Sequence, residues 1–254
     1  MFTPWVRRIA LLLLSLNILT SHAEVSQERP LIIAVAANFA DAAAQISARF
    51  TENTGVPVRL VMGSTGLLYA QITQGAPIDL LLAADTDRPR ALMTKNIATD
   101  LSYAVYARGR LVLWVPGATH PPELADFMTE SASIALANPA LAPYGRAASQ
   151  VMARFSKQAS SMRIVRGQNI STTYTQVATG SVPGGFVALS QVLAQGVPPS
   201  EYRVIPEAWH EPIEQALVLI NHQDMHPHGQ NFRHFLLSEQ ASVMLNALGY
   251  VVGG

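Results

Sequence analysis

The sequence predicts an α/β protein built as two lobes, each a mixed sheet flanked by helices, with the chain crossing between the lobes twice. Three observations lead there. Short apolar runs alternate with helix-period segments over residues 31–110; the alternation restarts after a change of rhythm at Pro116-Gly117; and an apolar run at 216–220 returns late in the chain. Crossings are expected near residues 109–111 and 209–213. The lobes are then 31–110 plus 211–254, and 111–210. A chain of 254 residues, close to half of them apolar, is long enough for two compact units.

The first unit begins with residues 31–35, a continuous apolar run with three β-branched side chains, followed at once by Ala36-Ala37-Asn38-Phe39. Phe39, Ala43, Ile46 and Phe50 then recur at the spacing of one helix face, so the reading is strand, tight turn, helix. Asn38 stands where an N-cap belongs. Residues 58–62 read as a second strand, and Gly63-Ser64-Thr65-Gly66 opens a helix that Gly75 stops. Two glycines around two hydroxyls give bare amides and neutral donors in one short loop. Residues 80–84 are apolar on both faces, as a central strand requires, and 85–95 read as a helix with Pro89 tolerated near its start.

In the second block, residues 111–115 and 134–137 read as strands, with a short helix from Leu124 between them. Residues 138–146, carrying Pro139 and Pro143, read as a long stiff turn feeding a helix at 147–155. A strand at 163–165 leads through Gly167-Gln168-Asn169-Ile170-Ser171-Thr172 into a helix that ends at Gly180. Residues 184–190 pass from strand into a helix starting near Ser190. The returning strand at 216–220 and helices at 232–237 and 242–248 close the chain.

The N-terminus predicts a destination outside the cytoplasm. Arg7 and Arg8 precede an apolar stretch at 9–19, and Ser21-His22-Ala23 supplies small residues at the positions that govern cleavage. Residues 1–23 thus read as a secretory signal peptide, and the stretch is too short for a stable bilayer anchor. Removing those two arginines, the only charges before Glu24, leaves a slightly acidic chain. Before cleavage, 17 acidic residues balance 17 basic ones, which leaves no electrostatic footprint for nucleic acid. The absence of cysteine excludes disulfides, thiolate catalysis and a Cys-zinc site.

Four strand-to-helix junctions stand out: those at Asn38, at Ser64-Thr65, at 138–146 and at Asn169-Ile170. A helix start at the carboxyl end of a buried strand carries unpaired N–H groups and a partial positive charge, so it suits an anion. None of the four places a basic residue at its expected contact positions; Arg146 and Arg166 read as flanking. An unprotonated dianion only accepts hydrogen bonds, so a site made of donors selects it. Each charged-group hydrogen bond contributes about 1.5–3 kcal/mol.

The segments Ala34-Val35-Ala36-Ala37-Asn38-Phe39, Gly63-Ser64-Thr65-Gly66, Gly75-Ala76-Pro77-Ile78-Asp79, Ala83-Ala84-Asp85, Asn138-Pro139 through Tyr144-Gly145, and Gly185-Phe186-Val187-Ala188-Leu189-Ser190-Gln191 together resemble the periplasmic molybdate-binding proteins of ABC transporters. The resemblance runs from about Leu31 to Tyr250. It implies a type II periplasmic-binding-protein fold with two crossover strands at the hinge. It also implies molybdate or tungstate held between the lobes, delivery to an inner-membrane ABC permease, a periplasmic monomer, and no catalytic cofactor. Carried over, the ligands are Asn38, Ser64 and Thr65 from the first lobe and Tyr144 and Ile170 from the second, with Asn169 and Ala188 as additional candidates. Some family members use a tyrosine hydroxyl at the position of Ala188, which has none to offer.

Other readings stay open on residues alone. A receptor for sulfate or phosphate is one, and a secreted hydrolase using Ser64 is another. No G-x-S-x-G elbow, P-loop or H-E-x-x-H motif supports an enzyme; Glu214 stands where the second histidine of the last should be. His222, Asp224, His226, His228 and His234 form the best cation candidate, at spacings that match no zinc pattern well.

Overall fold

The computed structural model describes residues 29–252. The signal-peptide reading of residues 1–23 lies outside them. Within them, no helix is long and apolar enough to cross a membrane.

Ten strands form two five-stranded sheets. The first holds β1 (Leu31–Ala36), β2 (Val58–Gly63), β3 (Leu80–Leu82), β4 (Ala104–Gly109) and β10 (Ile213–Leu219), in the order β2-β1-β3-β10-β4. The second holds β5 (Leu111–Trp114), β6 (Ser133–Ala137), β7 (Arg163–Gly167), β8 (Gly185–Ala188) and β9 (Tyr202–Val204), in the order β7-β6-β8-β5-β9. Both sheets follow one plan. Three parallel strands are followed by an antiparallel strand next to a crossing, β10 in the first sheet and β5 in the second. Strand order reverses around β1 and around β6, and α/β sheets leave a crevice at the carboxyl ends of strands at such points.

Helices cover the faces. In the first lobe these are α1 (Ala40–Thr54), α2 (Thr65–Thr73), α3 (Asp87–Thr94), α8 (Gly229–Leu236) and α9 (Glu239–Ala247). In the second they are α4 (Leu124–Glu130), α5 (Pro143–Arg154), α6 (Ile170–Ala178) and α7 (Leu189–Ala194). β3 is buried at every position because both faces of its sheet are covered: Leu80 and Leu82 join Phe39, Phe50 and Phe232 on one side, and Leu81 joins Leu68 and Leu92 on the other. A further core cluster joins the lobes, with Ala36, Ala37 and Ala84 packing in the same cluster as Tyr144, Ile170 and Ala188.

The sequence places most elements within a few residues, with two differences that matter. The helix expected at 147–155 begins four residues earlier, because Pro143 is not turn but the first helical residue, a position where its missing N–H is no loss. Asn38 is not the cap of α1. It lies in a 3₁₀ turn, Ala37–Phe39, and Phe39 precedes α1 without a side-chain cap.

The histidine-rich loop has a structural role around Asp79. This buried carboxylate accepts from both guanidinium nitrogens of Arg29 (2.9 and 2.8 Å), from the Ile32 N–H (2.8 Å) and from the His226 N–H (3.2 Å), and contacts His222 Nε2 at 3.1 Å. His226 Nε2 lies 2.8 Å from the Arg29 carbonyl. Among the described residues no group of three such side chains could hold a metal ion. Burial pushes the Asp79 carboxyl up, but the Arg29 hydrogen bond, the backbone donors and the Arg29 charge outweigh it and hold it below the ordinary carboxylate range.

A folded-state pKa below the unfolded value gives stability that is present above the unfolded pKa of about 3.9 and lost as pH falls through the folded one. Asp79→Ala is therefore expected to lose about 2 kcal/mol in urea denaturation at pH 7. That gap from the parent protein narrows in acid. An equal gap at pH 7 and pH 2.5 would show that packing, not the charge, is what Asp79 provides.

Candidate oxyanion site between the lobes

A small cavity, with about 10 Å³ of free volume, lies where the carboxyl ends of both sheets meet. From the first lobe it is lined by Ala36, Ala37, Asn38, Ser64, Thr65 and Ala84, and from the second by Ala142, Pro143, Tyr144, Asn169 and Ile170. No lining residue carries a charge. Arg146 lies outside, paired with Asp87 at 3.0 Å, and Arg166 is exposed.

Following the backbone donors at each junction shows what the cavity offers. The first N–H groups of a helix have no partner within it, so every one must be placed elsewhere. In α2 the Leu67 N–H reaches the Ser64 side chain (3.4 Å), the Leu68 N–H reaches the Ser64 carbonyl (3.0 Å), and the Gly66 N–H crosses to the Leu141 carbonyl of the other lobe (2.9 Å). The Thr65 N–H remains. In α5, Pro143 has no N–H and those of Gly145 and Arg146 both reach the Ala142 carbonyl. Tyr144 remains. In α6 the Thr172 N–H is capped by the Asn169 side chain (2.8 Å) and the Thr173 N–H reaches the Asn169 carbonyl (3.2 Å), which leaves Ile170 and Ser171. Asn38 lies in the turn Ala37–Phe39, whose opening N–H groups have no partner within the turn. Donors from three helix starts and one 3₁₀ turn thus border one small space.

The two hydroxyls share one arrangement. Ser64 Oγ accepts from Leu67, and Thr65 Oγ1 accepts from the buried Ala84 N–H (3.1 Å). Each accepts a backbone N–H on one of its two lone pairs and keeps its proton to give.

Asn38 acts differently from the sequence expectation. Its Nδ2 donates to Gln215 Oε1 at 3.0 Å, and its carbonyl accepts from Tyr250 Oη (2.7 Å) and Ser190 Oγ (3.1 Å). Tyr106 Oη, with one proton to give, has two acceptors within reach, the same Gln215 oxygen (3.1 Å) and the Ala83 carbonyl (3.2 Å). The side chain therefore belongs to a buried neutral network behind the cavity, which leaves the backbone N–H as the remaining donor of Asn38. Burial drives the phenols of Tyr106, Tyr144 and Tyr250 well above their ordinary range, so all three stay protonated donors. For Tyr144 the neighbouring Asn38 amide opposes that rise without reaching hydrogen-bond geometry.

Of the sequence candidates, Asn38, Ser64, Thr65, Tyr144, Asn169 and Ile170 come together around the cavity. Ala188 does not line it. Its position is fully buried at the end of β8, and its N–H donates to Gln191 Oε1 (3.1 Å). The residues that sequence reasoning missed are Gln215, Tyr106, Tyr250 and Ser190. One signal was there to find: Gln215 is a polar residue inside the run of β10, where a fully buried position demands partners.

The lobes meet over this cavity. Besides the Gly66 bond, Arg88 donates to the Ala140 carbonyl (2.9 Å) and Ser171 Oγ to the Ala37 carbonyl (3.2 Å). These hydrogen bonds tie the two lobes together across the cleft.

Comparisons with known proteins bear on the fold and the family. The family model described as bacterial extracellular solute-binding protein matches residues 31–251. The chain is 37% identical to the molybdate-binding protein ModA of Rhodobacter capsulatus over 87% of each chain. It is 35% identical to that of Azotobacter vinelandii over 86% of this chain and 88% of the relative. The solved Azotobacter vinelandii periplasmic molybdate-binding protein superposes with a TM-score of 0.83 at 30% identity, over 88% of this chain and all of that one. The chain belongs to the bacterial extracellular solute-binding protein family and is a homologue of these molybdate-binding proteins.

Proposed function

We propose that this protein captures molybdate, or the equally shaped tungstate, in the periplasm and presents it in the closed form to an inner-membrane ABC permease. The reading has one lobe formed by residues 31–110 and 211–254, the other by 111–210, and transport as a monomer. It is a carrier and not a catalyst. The supporting observation is the donor set: N–H groups of Asn38, Thr65, Tyr144 and Ile170 and the hydroxyls of Ser64 and Thr65 border a cavity with no charged lining. Six such bonds at about 1.5–3 kcal/mol each, less the cost of association, suffice for micromolar binding or tighter. A protonated anion such as hydrogen phosphate needs an acceptor, and the lining carries no carboxylate. Among unprotonated dianions, the homologues' names favour molybdate.

Titration calorimetry with molybdate, tungstate, sulfate and phosphate on ligand-free protein tests this. Molybdate and tungstate are expected to bind tightest and phosphate weakest; a preference for phosphate would overturn the reading. Ser64→Ala and Thr65→Ala are each expected to weaken molybdate binding about tenfold, the loss of one hydrogen bond to a charged group. Unchanged affinity in both would put the anion elsewhere.

Gly66 gives a prediction with opposite signs. A Cβ there would sit 3.1 Å from both Cα and O of Leu141 across the cleft and 3.2 Å from Nη2 of the flexible Arg88 side chain, which itself reaches across to the Ala140 carbonyl, while the glycine's own φ is not in the left-handed region. Alanine suits a helix better than glycine by up to about 1 kcal/mol. Gly66→Ala is therefore expected to melt no lower than the parent without ligand, yet to bind molybdate about tenfold more weakly, because the obstacle exists only on closure. A loss of ligand-free stability together with unchanged affinity would contradict it.

A further inference from the structure

Gly109 ends β4 at the first crossing between lobes. Its φ is not in the left-handed region, so the backbone there makes no demand for glycine. Space does. A Cβ at this position would lie 2.0 Å from Tyr144 Oη, 2.9 Å from Tyr144 Cζ and 3.0 Å from Gln215 Nε2. A glycine inside a strand often marks the close approach of another group, and here that group comes from the other lobe.

Tyr144 has two ends with different surroundings. Its backbone N–H is the only donor that α5 leaves for the cavity, and its side chain runs almost wholly buried to the hinge strands of the first lobe. Pro143 stiffens the chain just before it. The phenol is thus a strut: where its oxygen rests decides where the start of α5 stands. Among the described residues Tyr144 Oη and Gln215 Nε2 are both buried without a hydrogen-bond partner, so no hydrogen bond among them holds the phenol in its seat. Shape alone does.

We propose that Gly109 is a positioning residue for anion binding: it provides the notch in which the Tyr144 hydroxyl seats on closure, and so sets the place of the Tyr144 N–H at the ligand. The proposal rests on the binding reading above, and no part of it requires Gly109 to touch the anion.

A double-mutant cycle of Gly109→Ala and Tyr144→Phe tests it. Three measurements are made on each protein: titration calorimetry, ligand-free thermal melting, and the change in radius of gyration on adding anion. The probe is molybdate, or whichever of tungstate, sulfate and phosphate the parent protein binds best. Gly109→Ala is expected to weaken binding about tenfold or more and to diminish the compaction, with little change in the ligand-free melt. In the Tyr144→Phe background the same change is expected to cost about threefold or less, because the atom nearest the new methyl is gone. Equal losses in both backgrounds, or unchanged affinity in Gly109→Ala, would overturn the proposal. So would a ligand-free melt lowered by about 10 °C, which would make the notch part of the fold itself. Preference of the parent for sulfate would instead sink the molybdate assignment, and the cycle would still run on sulfate. A parent that binds none of the four anions would overturn both.

Discussion

Three helix starts and one 3₁₀ turn gathered around one small space are the constraint on which the rest of this molecule depends. Each brings N–H groups that its own helix cannot satisfy and the positive end of a macrodipole. Gathered from two lobes, these ends repel one another, and the closed arrangement leaves its innermost amides without partners. An anion that only accepts hydrogen bonds resolves both problems at once. The duplicated sheet plan follows from this need, since two crevices at the carboxyl ends of parallel strands, set face to face, are what bring four such junctions together.

The neutrality of the lining is maintained by the surrounding structure. Ser64 and Thr65 each accept one backbone N–H and keep a proton to give, and the tyrosines behind Asn38 are kept protonated by burial. A lining arginine would add Coulomb attraction but would lose the requirement that every ligand oxygen meet an oriented dipole. Closure then adds contacts that do not touch the cavity, from Gly66 to Leu141 and from Arg88 to Ala140. These make the closed form a distinct surface, which is what a membrane partner needs in order to tell a loaded carrier from an unloaded one.

Much of this was legible in the chain because it is local. Gly63-Ser64-Thr65-Gly66 signals a capped helix start by composition, and Ser64 does cap α2. Asn169 caps α6 in the same way. What was not legible depends on partners far apart in sequence. The side chain of Asn38 turns to Gln215 and Tyr250 because they are there to receive it, and nothing within ten residues says so. The start of α5 was placed late because Pro143 after Pro139 reads as turn, while the fold uses its fixed φ to begin a helix. Strand β4 was missed because the sequence 104–109 mixes Tyr106 with Arg108 and ends in glycine; pairing with β10 overrides that weak pattern. Ala188 drew attention only through the family resemblance, and its burial against β5 removes it from the cavity.

Amide proton shifts on titrating molybdate into isotopically labelled protein test most directly whether backbone dipoles alone neutralise the ligand. Binding by dipoles predicts that the N–H resonances of Asn38, Thr65, Tyr144 and Ile170 move downfield together and saturate at one equivalent, with arginine side-chain resonances changing no more than lobe closure explains. Large shifts at arginine Nε with those four amides unmoved would contradict it.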